Sequence, residues 1–365
     1  MRARRATPDA RRAWASGLRC ARPIALGVCL STIGCESDRP TVDAAAVSCR
    51  VVIPQAAPAA QARWRVAGDS ASRRVLDSYC ARVGPAVALD APTRASVPAD
   101  TLVVVNWNMA HVTGNLRALV RDLRAGALTG FVPLQLVLLL QEAPRADARH
   151  ARVPAAAQLP EGVNVSELDG FGGSDIVDVA REFDLHLLYA PSMRNGLTVA
   201  DQGNAILSTL PLRELHMLEL PAGIRRRVAV SAVIAWPEGG ALRLVSAHLD
   251  NWSARQAIAS FGAIRTRQAR ALAAMLPRDS AILLGGDLNT WARGPNEAAF
   301  RALRRQLPRP DTVDTTPTAV RLGVPRRLDY FMLRAPRTWH FEEWRMAAQY
   351  GSDHHPLIAL LFTTR

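Results

Sequence analysis

Polar side chains in this chain fall where they could do chemistry. Strongly apolar runs repeatedly border an amide, an acid or an imidazole. "VVVNWN" ends at Asn108, "LLLQE" at Gln141 and Glu142, and "RLVSAH" at His248. "AILLGGDLN" carries Asp287 and Asn289, "RRLD" carries Asp329, and "GSDHH" carries Asp353, His354 and His355. One such residue alone is most often a turn former or a helix cap, because Asp and Asn bond nearby backbone. A whole set flanking apolar strands points further, since loops at strand ends are where scaffolds hold reactive groups. Glu142, Asp287, Asn289 and Asp353 offer hard oxygen ligands with no thiolate beside them. That inventory suits magnesium, manganese or calcium rather than zinc. His248 and His354 can move protons or bind a phosphoryl oxygen. Phosphoryl transfer needs charge neutralisation, an in-line nucleophile and a stabilised leaving oxygen, and these residues supply such parts.

The elements that must position them are short apolar strands alternating with helices. "TLVVVNW", "LQLVLLLQE", "LHLLYA", "NAILS", "RVAVSAVIAW", "LRLVSAHL", "AILLGGDL", "RLDYFML" and "PLIALLF" read as strands. Their continuous runs are those of strands buried on both faces. Helices are expected over 114–124, with Leu116, Leu119, Val120 and Leu123 on one face, over 174–183 capped by Ser174, over 253–276 and over 296–306. The pattern is mixed α/β, with layered sheets and outer helices. It begins at Thr101, and the catalytic region is set at 99–365. Residues 36–98 are rich in Ala, Pro and Arg and read as an arm or linker.

The ordered motifs "NWNM" (Asn108), "LLQE" (Glu142), "GNAILS" (Asn204), "SAHLDN" (His248), "GGDLNT" (Asp287, Asn289), "RRLDYF" (Asp329) and "SDHHPL" (Asp353, His354) resemble the endonuclease/exonuclease/phosphatase superfamily over residues 100–362. The resemblance implies a four-layer α/β/β/α sandwich of two packed mixed β-sheets flanked by helices. It implies a cleft where strand-end loops of the two sheets meet. Glu142 would be the principal magnesium ligand, with manganese able to replace magnesium. Asn108 would help bind metal or phosphate, and Asp353 would sit at the metal or support the site. Asp287 would position the attacking water or contact metal, Asn289 would orient the phosphate, and His248 would bond a phosphoryl oxygen. His354 would be general base or phosphate stabiliser, and Asp329 would orient one histidine. Tyr189, Asn204 and Arg194 would lie near the phosphate, although Tyr189 reads equally as strand-end packing. Arg225, Arg226 and Arg227 either face the cleft or open a solvated strand. Trp252 and Trp291 either wall the cleft or pack. The family pattern reads Ser-Asp-His-x-Pro, which gives His354 the chemistry, and neighbouring side chains in an extended segment point apart, which turns His355 away.

Composition narrows the substrate only partly. The chain has 365 residues and a net charge of +13, and all 45 basic residues are arginine. Seven arginines and one aspartate in residues 1–35 account for +6 of that charge, leaving a mild bias of +7 for the rest. Residues 1–35 read as an export signal, with a basic start and an apolar run, "PIALGVCLSTIG", too short to span a membrane. The alternative is an arginine-rich tail. Cys35 resembles a lipoprotein attachment point, which would leave the protein periplasmic, membrane-anchored or secreted. In an oxidising compartment Cys49 and Cys80 can form one disulfide, or else remain two thiols in a loose arm. The absence of lysine after Glu142 departs from abasic-site endonucleases, and Thr290-Trp291-Ala292-Arg293 departs from inositol phosphatases. The expectation is an exported, monomeric, magnesium-dependent phosphodiester hydrolase, nuclease-like ahead of sphingomyelinase-like, acting on nucleic acid or phospholipid. A catalytically silent binding lipoprotein would instead show erosion of the acid, amide and imidazole set, and that set is intact.

Overall fold

The apolar runs pair into two sheets whose strand ends converge. The computed structural model describes residues 41–42, 51–52, 62–66, 83–92, 99–110, 113–146, 175–194, 200–223, 225–236, 240–251, 262–291, 293–321 and 323–363. One sheet runs in the order β1 (Thr41–Val42), β3 (Arg63–Val66), β9 (Arg213–Glu219), β10 (Val228–Ala235), β11 (Ala241–His248), β12 (Ala281–Asp287) and β15 (Asp329–Arg334). The other runs β16 (Trp339–Arg345), β17 (Leu357–Thr363), β5 (Thr101–Asn108), β6 (Gln135–Ala146), β8 (Ala200–Ser208), β7 (His186–Arg194), β4 (Ala86–Leu89) and β2 (Val51–Val52). Both are mixed, with β11 parallel to β12 and β5 parallel to β6. A separate hairpin pairs β13 (Ala319–Arg321) with β14 (Val324–Arg326).

Strand alternation explains the continuous apolar runs. Along β5, Leu102 and Val104 face the other sheet, while Val103 and Val105 face helices α1 (Leu116–Arg124) and α2 (Ile176–Glu182). On the first sheet, Leu242 and Leu244 point inward, whereas Val245 and Ala247 pack against α3 (Ala263–Met275) and α4 (Ala298–Arg304). The result is the four-layer α/β/β/α sandwich. Among the described residues no helix is long and apolar enough to cross a membrane.

A layer of polar bonds joins the sheets beneath their converging ends. Gln141 Nε2 lies 3.0 Å from Asn106 Oδ1 and 3.1 Å from Ser246 Oγ, and Ser246 Oγ donates to Leu140 O at 2.8 Å. Asn204 Nδ2 reaches across to Val228 O at 2.8 Å and Ser246 O at 3.3 Å. Buried polar groups of this kind need their partners, and together they fix one sheet's register against the other. Gly285 permits the approach, because a Cβ there would stand 2.8 Å from Leu139 Cδ1.

Several expected boundaries move. The stretch expected as an arm contributes β3 and β4 to the two sheets, with Trp64 and the whole of β4 buried. These strands are short and sit near sheet edges, so they leave little periodicity. Helix α2 is capped by Asp175, whose Oδ1 accepts from Val177 N and Asp178 N, rather than by Ser174. Helix α3 runs Ala263–Met275 behind Gly262, and residues 253–261 of the expected helix lie outside the described residues. Cys35, Cys49, Cys80, Ser174 and Trp252 lie outside the described residues.

Arg226 fastens the two sheets beside the site. Its guanidinium bonds both oxygens of Glu219, at 2.9 and 2.7 Å, and donates to Pro191 O on β7 at 2.7 Å. All of this is buried. Replacing it by Arg226→Met strands the Glu219 carboxylate, and breaking such a pair costs about 3–5 kcal/mol. Urea unfolding of the two proteins measures that loss; a loss within about 0.5 kcal/mol, as for an ordinary surface change, would show that the strap holds nothing.

Candidate active site

Pairing register assembles the centre of the site. His248 on β11 lies opposite Asp287 on β12, and Asp287 lies opposite Asp329 on β15. Opposed residues on neighbouring strands point to the same face, so one acid–imidazole row crosses three strands. His248 Nε2 is 3.4 Å from Asp287 Oδ2. Asn108, at the end of β5 in the opposite sheet, donates from Nδ2 to the same Asp287 oxygen at 2.9 Å. All four side chains are buried.

Two residues reach the row through left-handed backbone. Glu142 has φ 53°, and the β6–β8 register shifts between Leu140 and Ala143 around it. The bulge re-aims its carboxylate, whose Oε1 lies 3.8 Å from His248 Nδ1. Asn289, at φ 49°, turns its amide back to within 3.0 Å of His248 Nε2 and donates to Leu249 O. Non-glycine residues in this conformation store strain of about 1–3 kcal/mol, and such strain clusters at working sites.

The two imidazoles meet opposite partners. His354 Nδ1 is 2.8 Å from Asp329 Oδ2, and its Nε2 points toward Asp287 Oδ2 at 3.9 Å and Asp353 Oδ1 at 3.8 Å. Burial opposes charge on this ring. The Asp329 carboxylate and its hydrogen bond, with Asp287 and Asp353, outweigh burial and raise the pKa to about 9. His354 is therefore an imidazolium at neutral pH, and its buried Nε2 has no hydrogen-bond partner. His248 instead meets Arg227, whose Nη1 lies 3.1 Å from Nδ1. A guanidinium only donates, so Nδ1 accepts. Arg227 is itself buried, which lowers its pKa, while the carboxylates of Asp250 and Glu142 oppose that shift.

His355 is turned away: its ring nitrogen Nδ1 lies 2.9 Å from Met346 O, and its backbone N donates to Thr318 O. Asp353 stands at the rim with a side chain 52% exposed. Tyr189 does not reach the site. Alternation along β7 places it on the helix-facing side, in the outer core, with the Arg145 guanidinium over its ring. Asn204 also departs from its expected place at the phosphate, because its amide NH2 is committed to the bonds between sheets. Sequence reasoning missed Ser352, which donates to Asn108 O and accepts from His354 N, and Thr318, whose hydroxyl accepts from Leu328 N and Asp329 N. The serine of the Ser-Asp-His-x-Pro pattern was the signal available for Ser352.

The donor set fits a hard divalent cation. Asp287, Asp329 and His354 offer atoms that lie within 4.8 Å of one another. An imidazolium repels a cation, however, so the oxygens are the better holders: Glu142 and Asp287 flank His248, and Asp329 Oδ1 is buried with no hydrogen-bond partner. Among the described residues no thiolate is near, so the ligands on offer are oxygens and imidazoles.

A buried row of carboxylates and imidazoles at the converging ends of two packed sheets holds the kinds of group a hydrolase uses. The chain belongs to the endonuclease/exonuclease/phosphatase family, matching it over residues 105–354. Its fold is similar to an endonuclease/exonuclease/phosphatase from Beutenbergia cavernae (16% identity, 73% of this chain and 72% of that one, TM-score 0.50). The human Nocturnin catalytic domain with bound sulfate (14%, 74% and 96%, 0.47) and sphingomyelinase C from Streptomyces griseocarneus (18%, 72% and 99%, 0.40) also match. Among curated protein sequences none matches.

In chelator-treated protein the His354 ring should titrate near pH 9 by NMR. Asp329→Asn removes the main stabilising charge and should bring that titration down. The folded pKa is raised, so this pair stabilises fully below about pH 6.5, the unfolded value, and its contribution fades as pH rises through about 9. Melting temperature should accordingly fall over that window in wild type and less in Asp329→Asn. An unchanged titration in the variant would disprove the assigned partner.

Proposed function

We propose that this hydrolase is a magnesium-dependent phosphodiesterase, nuclease-like in substrate, with manganese able to replace magnesium. The observation that carries the reading is His354: a buried imidazole held at Nδ1 by Asp329, whose Nε2 has no hydrogen-bond partner and faces Asp287. A phosphodiester is an anion needing charge neutralisation and a proton for its leaving oxygen, and a preorganised N–H in a dry site stabilises such charge well.

In this reading Asp287 accepts a proton from the attacking water as its oxygen bonds to phosphorus. His354 donates to the phosphoryl group from Nε2 and protonates the ester oxygen as the P–O bond breaks. Asp287 and His354, 3.9 Å apart, then exchange a proton and return to their starting states. The base role open to His354 in the sequence needs a neutral ring, which Asp329 opposes. His248 and Asn289 hold the phosphoryl oxygens, with Arg227 fixing the His248 ring. Glu142 would hold the metal, which supplies charge neutralisation at the phosphoryl oxygens. Export through residues 1–35, with membrane attachment at Cys35, completes the proposal and rests on the leader sequence alone. The mild positive charge favours a polyanion such as nucleic acid.

Turnover of bis-(p-nitrophenyl) phosphate should vanish in EDTA and return with magnesium or manganese; rescue by zinc alone would count against oxygen ligands. Glu142→Gln should remove most turnover while leaving the melting curve in place. His354→Ala should lose on the order of 10²–10⁴ of the rate, whereas His355→Ala should keep it within a few fold. The reverse pattern would shift the active histidine by one. Plasmid DNA cleaved far faster than sphingomyelin supports the nuclease-like reading, and the opposite preference replaces it with the phospholipid one.

A further inference from the structure

A second polar cavity opens far from the catalytic row. It has a volume of about 450 Å³ and lies on the helix-facing side of the first sheet, against the C-terminal end of α3. Alternation places its charged walls. Leu215 and Met217 of β9, and Leu242 and Leu244 of β11, belong to the core between sheets, so His216 and Arg243 point the other way. Arg65 does the same between Trp64 and Val66. Arg243 stands five residues before His248 on one strand, which is about 16 Å away at ~3.3 Å per residue.

Two guanidiniums and one carboxylate line this cavity. Arg243 has a side chain only 8% exposed, yet its Nε has no hydrogen-bond partner. Its Nη1 reaches Ser231 Oγ at 3.2 Å and lies 3.5 Å from His216 Nδ1. Arg65 lines the same space and donates from Nη1 to Met275 O at 3.3 Å. The one carboxylate among the lining residues is Glu214, which pairs with Arg243 Nη2 from a side chain 61% exposed. Burial, with Arg65 and Arg243, drives the His216 pKa down to about 4, so the ring is neutral and shares the cavity as a hydrogen-bonding group. With Nδ1 facing a guanidinium, its proton sits on Nε2.

We propose that this cavity binds a small oxyanion of the phosphate class, held by the guanidiniums of Arg243 and Arg65 with His216 and Ser231 as neutral partners. Guanidinium geometry matches tetrahedral oxyanions, and an anion here supplies the acceptor that the buried Arg243 Nε lacks. The half-enclosed shape fits a small ion rather than a polymer backbone. The site is separate from the catalytic cleft and independent of the reading given for it.

The test is calorimetric titration of inorganic phosphate into the full chain after chelator treatment, at constant ionic strength with chloride as the balancing ion. Saturable binding is expected, with the His216 ring signals shifting in NMR. Arg243→Met should weaken it by about tenfold or more, the scale of one charge-assisted contact. Arg65→Met, at a less buried position, should weaken it likewise and serves if Arg243→Met does not fold. His354→Ala should leave phosphate affinity unchanged, and Arg65→Met should leave bis-(p-nitrophenyl) phosphate turnover unchanged. No saturable binding at millimolar phosphate overturns the proposal. So does binding lost in His354→Ala but kept in Arg65→Met, which would place the phosphate in the catalytic cleft.

Discussion

Both sheets are covered on both faces, and that constraint shapes the rest of the molecule. A polar side chain in mid-strand must find a partner or meet a large desolvation cost. The inter-sheet partners Asn106, Gln141, Asn204 and Ser246 occur in one layer, directly beneath the converging strand ends. Above that layer the acids and imidazoles stand on a floor that cannot slide, because each cross-sheet bond fixes the pairing of two strands. Gly285 serves the same end by leaving room for the Leu139 and Asn106 side chains of the other sheet where a methyl group would crowd them.

On that floor the two histidines become different reagents through their second partners. Asp329 sits on one nitrogen of His354 and makes it a cation; Arg227 sits on one nitrogen of His248 and forces that nitrogen to accept. Both rings lie within 4 Å of Asp287, and each has its Nδ1 taken up by a different partner, which leaves Nε2 toward the cleft. The roles of the two Nδ1 atoms follow from the donor and acceptor inventory, since a guanidinium has no lone pair to offer and a carboxylate has no proton.

Much of this was legible in the sequence, for a definite reason. Strands buried on both faces are continuous apolar runs, so β5, β6, β11, β12 and β17 announce themselves, and the polar residues at their ends mark the cleft. Leu116, Leu119, Val120 and Leu123 give α1 away at helical spacing, and all four are buried. Strands at or next to the sheet edges were not legible. In β16 the run "WHFEEWR" is half-exposed and charged, and β3 has only four residues. Side-chain direction was not legible either. Tyr189 was a plausible phosphate contact until alternation along β7 put it among Leu187 and the helices. Arg227 could not be separated from Arg225 and Arg226 as a run of three, yet the structure gives each a different fate: Arg225 donates its backbone N–H to Asp250, Arg226 straps Glu219, and Arg227 holds His248.

The backbone strain explains why composition alone could not build the site. Regular pleating from Leu140 onward would send the carboxylate of Glu142 to one face and fix its height by the ladder. The register shift and the left-handed turn at Glu142 free it from that ladder and bring it beside His248. Asn289 makes the mirror move from β12, folding back so that its amide caps the other edge of the same ring. A sheet without these two departures would keep the His248–Asp287–Asp329 row, which register alone supplies, and the Arg227 contact, but would leave the imidazole without its carboxylate and amide neighbours. Regular pairing thus places the row, and two strained residues close the site around it.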